Sequence, residues 1–205
     1  CVKGALFAPT AGIVDVFNFV VHAVENAVDN GVKLFLNQEV KSINKEEDLY
    51  KVVTQKGEFF SKFIINAAGA FADKIASMVE PIDWKITPRK GEYFVLDHYK
   101  AGLVNHTIFP LPSEKGKGIL VTMTTSGNYL VGPSSELDDD PSDVTTDPLT
   151  LNTIRAQATE MVPNIPFNQV IRVFAGTRPT CTRHDFIIEY AKSDKNFINV
   201  GGIES

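Results

Sequence analysis

Lys62-Phe63-Ile64-Ile65-Asn66-Ala67-Ala68-Gly69-Ala70-Phe71-Ala72-Asp73 is the stretch that decides the fold. Residues 63–65 are a continuous apolar run, the pattern of a strand buried on both faces as in a parallel sheet. The run ends at a turn of small residues, and a helical stretch over 71–79 follows at once. Strand, tight small-residue turn and helix is the geometry that brings backbone N–H groups to a ligand at the carboxyl edge of a sheet. An ordinary strand–helix turn has the same text, with Gly69 supplying only a backbone angle, so the stretch alone leaves both readings open.

Upstream, Val16, Phe19, Val20, Ala23, Ala27 and Val28 repeat at helical spacing over 15–30, with Asp15 as N-cap and Asn30-Gly31 as the stop signal. Short strands are expected at 32–36, 39–43, 50–54 and 58–61, an antiparallel flap ahead of the opening strand. Beyond Pro81 the text becomes strand-like and broken by turns, with strands expected at 93–96, 107–111, 119–124 and 129–131. Gly116-Lys117-Gly118 and Ser126-Gly127-Asn128 are the turn signals between them. Strands that follow one another without helices make a mostly antiparallel sheet. A second helix is expected over 149–162, started by Thr146-Asp147-Pro148 and stopped by Pro163. Strands at 169–175, 186–190 and 197–200 complete the order, giving an α+β (mixed α/β) fold.

The totals exclude several classes. A net charge of −5 and a pI near 5.4 supply no basic face for nucleic acid. No apolar run reaches the ~18 residues that span a bilayer, and no signal peptide stands at the start. The two cysteines, Cys1 and Cys181, fit neither a disulfide framework nor a metal site, which makes a reducing, cytoplasmic setting the default. No metal site is expected. Asp138-Asp139-Asp140-Pro141-Ser142-Asp143 lacks the spaced glycine and terminal Glu of a calcium loop and reads as a solvated surface turn. The chain opens on Cys1 with core-like text directly behind it, so it is expected to be an excerpt from a longer protein.

Five phrases fall in one order: Pro9-Thr10-Ala11-Gly12-Ile13-Val14-Asp15, Ile64-Ile65-Asn66-Ala67-Ala68-Gly69, Pro88-Arg89-Lys90-Gly91-Glu92-Tyr93, Phe174-Ala175-Gly176-Thr177-Arg178-Pro179 and Gly202-Ile203-Glu204-Ser205. In this order and spacing the chain resembles the FAD-dependent oxidoreductases of the D-amino-acid-oxidase superfamily, nearest to the bacterial glycerol-3-phosphate dehydrogenase-like and L-2-hydroxyglutarate oxidase-like branch. The resemblance implies a partial Rossmann-like FAD domain over 1–80, a substrate domain on a large, mostly antiparallel sheet over 81–190, and a return strand and turn over 191–205. The family's N-terminal Gly-x-Gly-x-x-Gly, which cradles the FAD pyrophosphate, is absent from this sequence. The chain is therefore expected to be a central piece of such an enzyme, to bind FAD weakly or not at all by itself, and to have no turnover alone.

By the same resemblance, Val40 matches the position whose backbone meets the adenine. Ala67, Ala68 and Gly69 match the turn against the diphosphate–ribose region, and Gly201, Gly202, Ile203 and Glu204 the final turn near the flavin. Core packing without a ligand is the competing reading for all of them. Arg178 is implied to fix the substrate anion, since a guanidinium takes a carboxylate or phosphate through two parallel bonds; a surface arginine paired with an acid is the competing reading. The strand over 88–93 is implied to run near the isoalloxazine, with Gly91 allowing close backbone approach, and Lys90 or Tyr93 to assist the substrate hydroxyl; a structural role is the competing reading for both. Alternation nevertheless puts Lys90 and Glu92 on one strand face and Arg89, Gly91 and Tyr93 on the other. His22, His98, His106 and His184 have the chemistry of general bases but match no motif. Relatives often carry a His ahead of a Gly-Asn pair where Ser126 stands here, so the base is expected outside this chain. The partner expected is a small anionic alcohol, best matched by glycerol 3-phosphate, with a 2-hydroxy acid or an amino acid as the rival. A non-catalytic binding domain on the same fold is the reading of another class. Peripheral membrane association is common in such dehydrogenases, and no amphipathic signature for it stands in this sequence.

Overall fold

The computed structural model describes residues 4–98, 102–112 and 118–204, so Cys1, Gly116, Lys117 and Ser205 lie outside the described residues. In chain order the elements are α1 (Val16–Asp29), β1 (Val40–Glu46), β2 (Leu49–Thr54), β3 (Glu58–Ser61), β4 (Ile64–Asn66), α2 (Ala72–Ala76), β5 (Ile86–Leu96), β6 (Leu120–Met123) and β7 (Tyr129–Gly132). They continue with β8 (Glu136–Leu137), α3 (Pro148–Met161), β9 (Val170–Cys181), β10 (Ile187–Tyr190) and β11 (Phe197–Gly201).

The local signals work as their chemistry requires. Asp15 caps α1 by accepting the Asn18 N–H at 3.0 Å. After Asn30 the chain passes Gly31 at φ +94°, and Val32 N–H closes on the Ala27 carbonyl at 3.0 Å. Asp147 caps α3 by accepting the Thr150 N–H at 2.8 Å, with Pro148 at the first helical position, where no N–H is needed.

Three sheets follow from the pairing. The first is the antiparallel meander β1-β2-β3. In the second, β4 runs parallel to β11, with Ile64, Ile65 and Asn66 opposite Phe197, Ile198 and Asn199, and β10 adds antiparallel to β11. The third is built on β5, which pairs along its whole length with β9, from Ile86 opposite Cys181 to Leu96 opposite Val170. The other edge of β5 is shared by β8 at Arg89–Lys90 and β7 at Phe94–Leu96. On this sheet's inner face Leu96, Val121, Tyr129 and Val131 pack with Ile154 and Ala158 of α3 to form one buried cluster.

Several expectations change. Residues 32–36 find no strand partner among the described residues, and Val32, Leu34 and Leu36 are more than half exposed. Residues 107–111 shrink to one bridge, Ile108 to Val121. The helix expected over 71–79 is the five-residue α2, preceded by a 3-10 turn at Gly69–Phe71. β9 runs on past Gly176 because β5 offers it an eleven-residue partner; the Pro88 carbonyl accepts the Asp138 N–H on the other edge of β5, so Pro88 and Pro179 form a non-hydrogen-bonded pair in which the ladder needs no donor from either proline. The opening strand is not buried on both faces. Phe197, Asn199, Asn66 and Ile187 lie on a buried face, whereas Ile65 and Ile188 on the other are each 66% exposed. α1 likewise buries no residue against the described chain.

Two buried or half-buried carboxylates tie distant segments together. Glu92 is 1% exposed, and its Oε1 and Oε2 accept the Asp147 N–H at 3.1 and 3.0 Å, which anchors the start of α3 to β5. Burial pushes its carboxyl above the usual range against the pull of that hydrogen bond. Asp194 receives Lys45 Nζ, the Tyr50 hydroxyl at 2.6 Å and the Asn196 N–H at 3.0 Å, joining the meander to the β10–β11 turn. These bonds, Lys45 first, hold the Asp194 carboxyl down at about 2.

Two outcomes are expected. Because the Asp194 carboxyl is depressed in the folded state, its contribution to stability is complete above the unfolded value near 3.9 and is lost as pH falls toward about 2. Asp194→Asn should flatten the acid limb of urea-denaturation midpoints measured from pH 5 to 2.5, and an unchanged limb would count against the linkage. Glu92→Ala should destabilise by about 1–3 kcal/mol, since it strands the Asp147 N–H. Glu92→Gln keeps an acceptor and removes a buried charge, so it should stay within about 1 kcal/mol of the parent in the same assay.

Candidate active site

The β5–β9 register sets one face of the large sheet. Arg89 lies opposite Arg178, Gly91 opposite Gly176 and Tyr93 opposite Phe174, so all six share a face. Tyr93 and Phe174 stack with ring centroids 5.0 Å apart and planes 8° from parallel. Burial raises the Tyr93 phenol above its ordinary value, and the nearby Arg178 charge opposes that shift. Where β7 gives way to β8, the segment 133–135 crosses the edge of β5. A Cβ at Gly91 would meet Pro133 Cβ at 2.9 Å and Arg178 Nη2 at 3.5 Å, so the room left by this glycine is filled by Pro133 and the arginine. Arg178 Nη2 donates to the Ser134 carbonyl at 3.1 Å, and Arg89 Nη1 to Ser135 Oγ at 3.1 Å. Ser134 is itself locked to β5, accepting the Glu92 N–H on Oγ at 3.0 Å and donating its own N–H to the Glu92 carbonyl at 3.2 Å.

Arg178 and Tyr93 are thus brought together, and Lys90 is not. Lys90 lies on the opposite face with its ammonium 2.6 Å from Asp143 Oδ2 and 3.4 Å from Asp138 Oδ2. The two aspartates raise the Lys90 pKa, and Lys90 holds Asp143 well below the usual carboxylate range. The acidic stretch 138–143 is therefore more than the solvated turn expected of it: two of its carboxylates clamp a lysine from β5.

The residues implied to hold the cofactor fall largely along one edge. Because β4 and β11 are parallel, their carboxyl ends lie side by side, and the Ala67-Ala68-Gly69 turn and the Gly202-Ile203-Glu204 turn leave the sheet together. Asn66 Nδ2 bridges the pair, donating to Asn199 Oδ1 at 2.9 Å and to the Ala72 carbonyl at 2.8 Å. Gly69 has φ +56°, and a Cβ added there would have no atom within 4 Å, so this glycine meets a backbone demand and faces open space. Gly201 and Gly202 are glycines for packing: a Cβ would meet Ala72 at 3.2 Å and Cys181 at 3.0 Å. Val40 sits apart on the meander, packed against the buried cluster of Ile43, Tyr50, Ala191 and Phe197.

This edge meets the arginine face. Thr180 is on the same face as Arg178, two residues or roughly 7 Å along β9. It lines a pocket of about 330 Å³ with Cys181, His184, Asp185, Phe186, Gly202 and Glu204. Thr180 is 9% exposed, and its hydroxyl has no hydrogen-bond partner among the described residues. The Gly69–Phe71 turn packs against both β5 and β9. An open glycine turn, a second turn beside it and a buried hydroxyl without a partner among the described residues fit a dinucleotide.

The histidines stand elsewhere. His22 is exposed on α1 and bonds Glu25 at 2.8 Å, and His98 is an exposed neighbour of Asp97. His106 packs edge-on to Phe7 at 5.1 Å beside a second cavity of about 440 Å³. Only His184, at φ +56°, borders the pocket of Thr180. Among the described residues no three His, Cys, Asp or Glu side chains converge as metal ligands. Reading by residue type did not single out Thr180, Ser134 or Ser135; their positions depend on pairings across the chain, and alternation from Arg178 is the one signal that could have found Thr180.

The chain is 45% identical over 204 residues to the glycerol 3-phosphate dehydrogenase of Caloramator mitchellensis, covering 100% of this chain and 42% of that protein. It is 31% identical over 137 residues to the L-2-hydroxyglutarate dehydrogenase of Indibacter alkaliphilus, covering 65% of this chain and 34% of that one. Its structure superposes with a TM-score of 0.81, at 32% identity, on the dithionite-reduced L-alpha-glycerophosphate oxidase of Mycoplasma pneumoniae with FAD bound, covering 87% of this chain and 48% of that one. The chain thus spans about half the length of the glycerol 3-phosphate relatives it matches. The profile of the FAD dependent oxidoreductase (DAO) family matches residues 1–205, and the chain belongs to that family.

Proposed function

We propose that the chain serves an FAD-dependent oxidation in which a small anionic alcohol, glycerol 3-phosphate, gives up hydride. The observation that carries the reading is the meeting of two features: the paired turns after β4 and β11 stand beside the face that carries Arg178. FAD, when bound, supplies the hydride acceptor. In this reading Ala67, Ala68, Gly69, Gly202, Ile203 and Glu204 line its path, Gly201 lets the return strand pack on Ala72, and Val40 supports the adenine end. Arg178 fixes the substrate anion, and the Ser134 carbonyl fixes Arg178. Tyr93, stacked on Phe174 and half-buried, presents its hydroxyl on the same face and orients the substrate alcohol. Lys90 enters as a support that holds the acidic loop, not as a proton carrier, because its ammonium is committed to Asp138 and Asp143. The sections 1–80 and 191–205 form the cofactor side and 81–190 the substrate side. The setting proposed is the reducing cytoplasm, on the strength of two cysteines far apart in sequence; among the described residues no helix is long and apolar enough to cross a membrane.

The test joins the chain to the portion of the Caloramator mitchellensis relative that it does not match. The chain alone should purify without flavin absorbance, and the joined protein should carry FAD that anaerobic glycerol 3-phosphate bleaches. Arg178→Gln should raise the concentration needed for half-reduction by about 10- to 100-fold, the effect of losing a charge-assisted bond. Bleaching by 2-hydroxyglutarate alone would replace the substrate in this reading. Bound FAD that glycerol 3-phosphate, 2-hydroxyglutarate and amino acids all leave oxidised would sink it in favour of a non-catalytic domain.

A further inference from the structure

We infer that Arg89 is a second anion ligand and that the Arg89–Arg178 pair selects a phosphate dianion over a carboxylate, an inference that rests on the reading of Arg178 just given. The two arginines are direct cross-strand partners on one sheet face. Like charges placed opposite each other across a ladder repel, so the arrangement needs a counter-charge. Among the described residues none is supplied: neither guanidinium forms an ion pair, and each is held by a neutral oxygen, Arg178 by the Ser134 carbonyl and Arg89 by Ser135 Oγ, both at 3.1 Å.

Among the described residues, the neighbours on β5, β8 and the acidic loop offer neither guanidinium an anion. Along β5, Gly91 follows Arg89 on this face and brings no charge, and Tyr93 beyond it is a stacked phenol. Across the other edge, Arg89 pairs with Leu137 of β8, an exposed apolar residue, and Glu136 lies opposite Lys90 instead. The carboxylates of Asp138 and Asp143 are occupied by Lys90 on the opposite face, and Glu92 is buried there against Asp147. Consecutive residues of one segment, Ser134 and Ser135, thus hold two guanidiniums side by side while neutralising neither.

The chemistry of that arrangement is specific. A carboxylate offers one charge and two oxygens, which a single guanidinium satisfies. A phosphomonoester offers three terminal oxygens and a charge of about −1.5 to −2 near neutral pH, with its second ionisation near pH 6. Two guanidinium forks match the second ligand and are in excess for the first.

The experiment is isothermal titration of the chain with glycerol 3-phosphate, with its carboxylate counterpart glycerate and with inorganic phosphate, each at pH 5 and pH 7.5. The parent should prefer glycerol 3-phosphate to glycerate, and the preference should grow as pH passes about 6 and the dianion forms. Arg89→Gln should weaken glycerol 3-phosphate by about 10- to 100-fold, remove that pH dependence and leave glycerate within about threefold. A merely structural Arg89 would shift both ligands alike and keep the pH profile. If Arg178→Gln abolishes binding while R89Q matches the parent, Arg89 is no ligand and the reading of Arg178 stands alone. If the parent binds neither anion, or R178Q binds as the parent does, that reading fails and this one with it. Should R89Q not fold by circular dichroism, R89K decides: it keeps the charge without the fork, and an undiminished phosphate preference would overturn the pair, whereas a several-fold loss supports it.

Discussion

The parallel pairing of β4 with β11 is the constraint on which the rest depends. Residues 64–66 and 197–199 are far apart in the chain, and hydrogen bonding in register with a common direction puts the turns that follow them at the same edge. Asn66 and Asn199 face each other there, 3% and 2% exposed; the Asn66 amide donates both to the Asn199 side chain and to the Ala72 carbonyl. A buried amide pair in the middle of an apolar face costs desolvation unless it is satisfied, so it penalises any other register. The same bond to Ala72 sets where the helix after the Gly69 turn begins.

A second joint aims the large sheet at that edge. Ala72 and Ala76 of α2, Trp84, Ile86 at the start of β5, Cys181 at the end of β9 and Ile187 at the start of β10 form one buried cluster. It gathers the ends of the two long strands under the turn that follows β11, which is why Thr180 and Gly202 line one pocket and why Arg178 stands only two residues farther along β9. On the other side of β5 the carboxylate of Glu92 takes the start of α3, and its backbone takes Ser134, whose carbonyl holds Arg178. The arginine is thereby positioned by a chain of hydrogen bonds that begins at a helix cap.

What was legible in the sequence was local chemistry. Asp15, Asn30-Gly31 and Asp147-Pro148 act within one helical turn of themselves, and each marks its boundary where expected. Alternation separated Lys90 from Arg89 and Tyr93 before any contact was known, and the register keeps them apart. What stayed hidden depends on partners distant in the chain. Gly176-Thr177-Arg178-Pro179 carries turn residues, and the ladder with β5 overrides them and extends β9 to Cys181. Residues 32–36 have strand composition and find no neighbouring strand to donate to among the described residues. Asp143 lies 53 positions from the lysine it holds, so the acidic loop could be read only as polar surface.

In the proposed function the two turns at the carboxyl edge form one cofactor-binding line that ends near the arginine face. Backbone-amide NMR of the chain titrated with FAD into the millimolar range reads this line residue by residue, because even weak binding shifts the amides it touches. Shifts are expected at Ala68, Gly69, Gly202 and Ile203 together, following one binding curve. Movement confined to α1 or to the acidic loop, with those four amides unmoved, would contradict it.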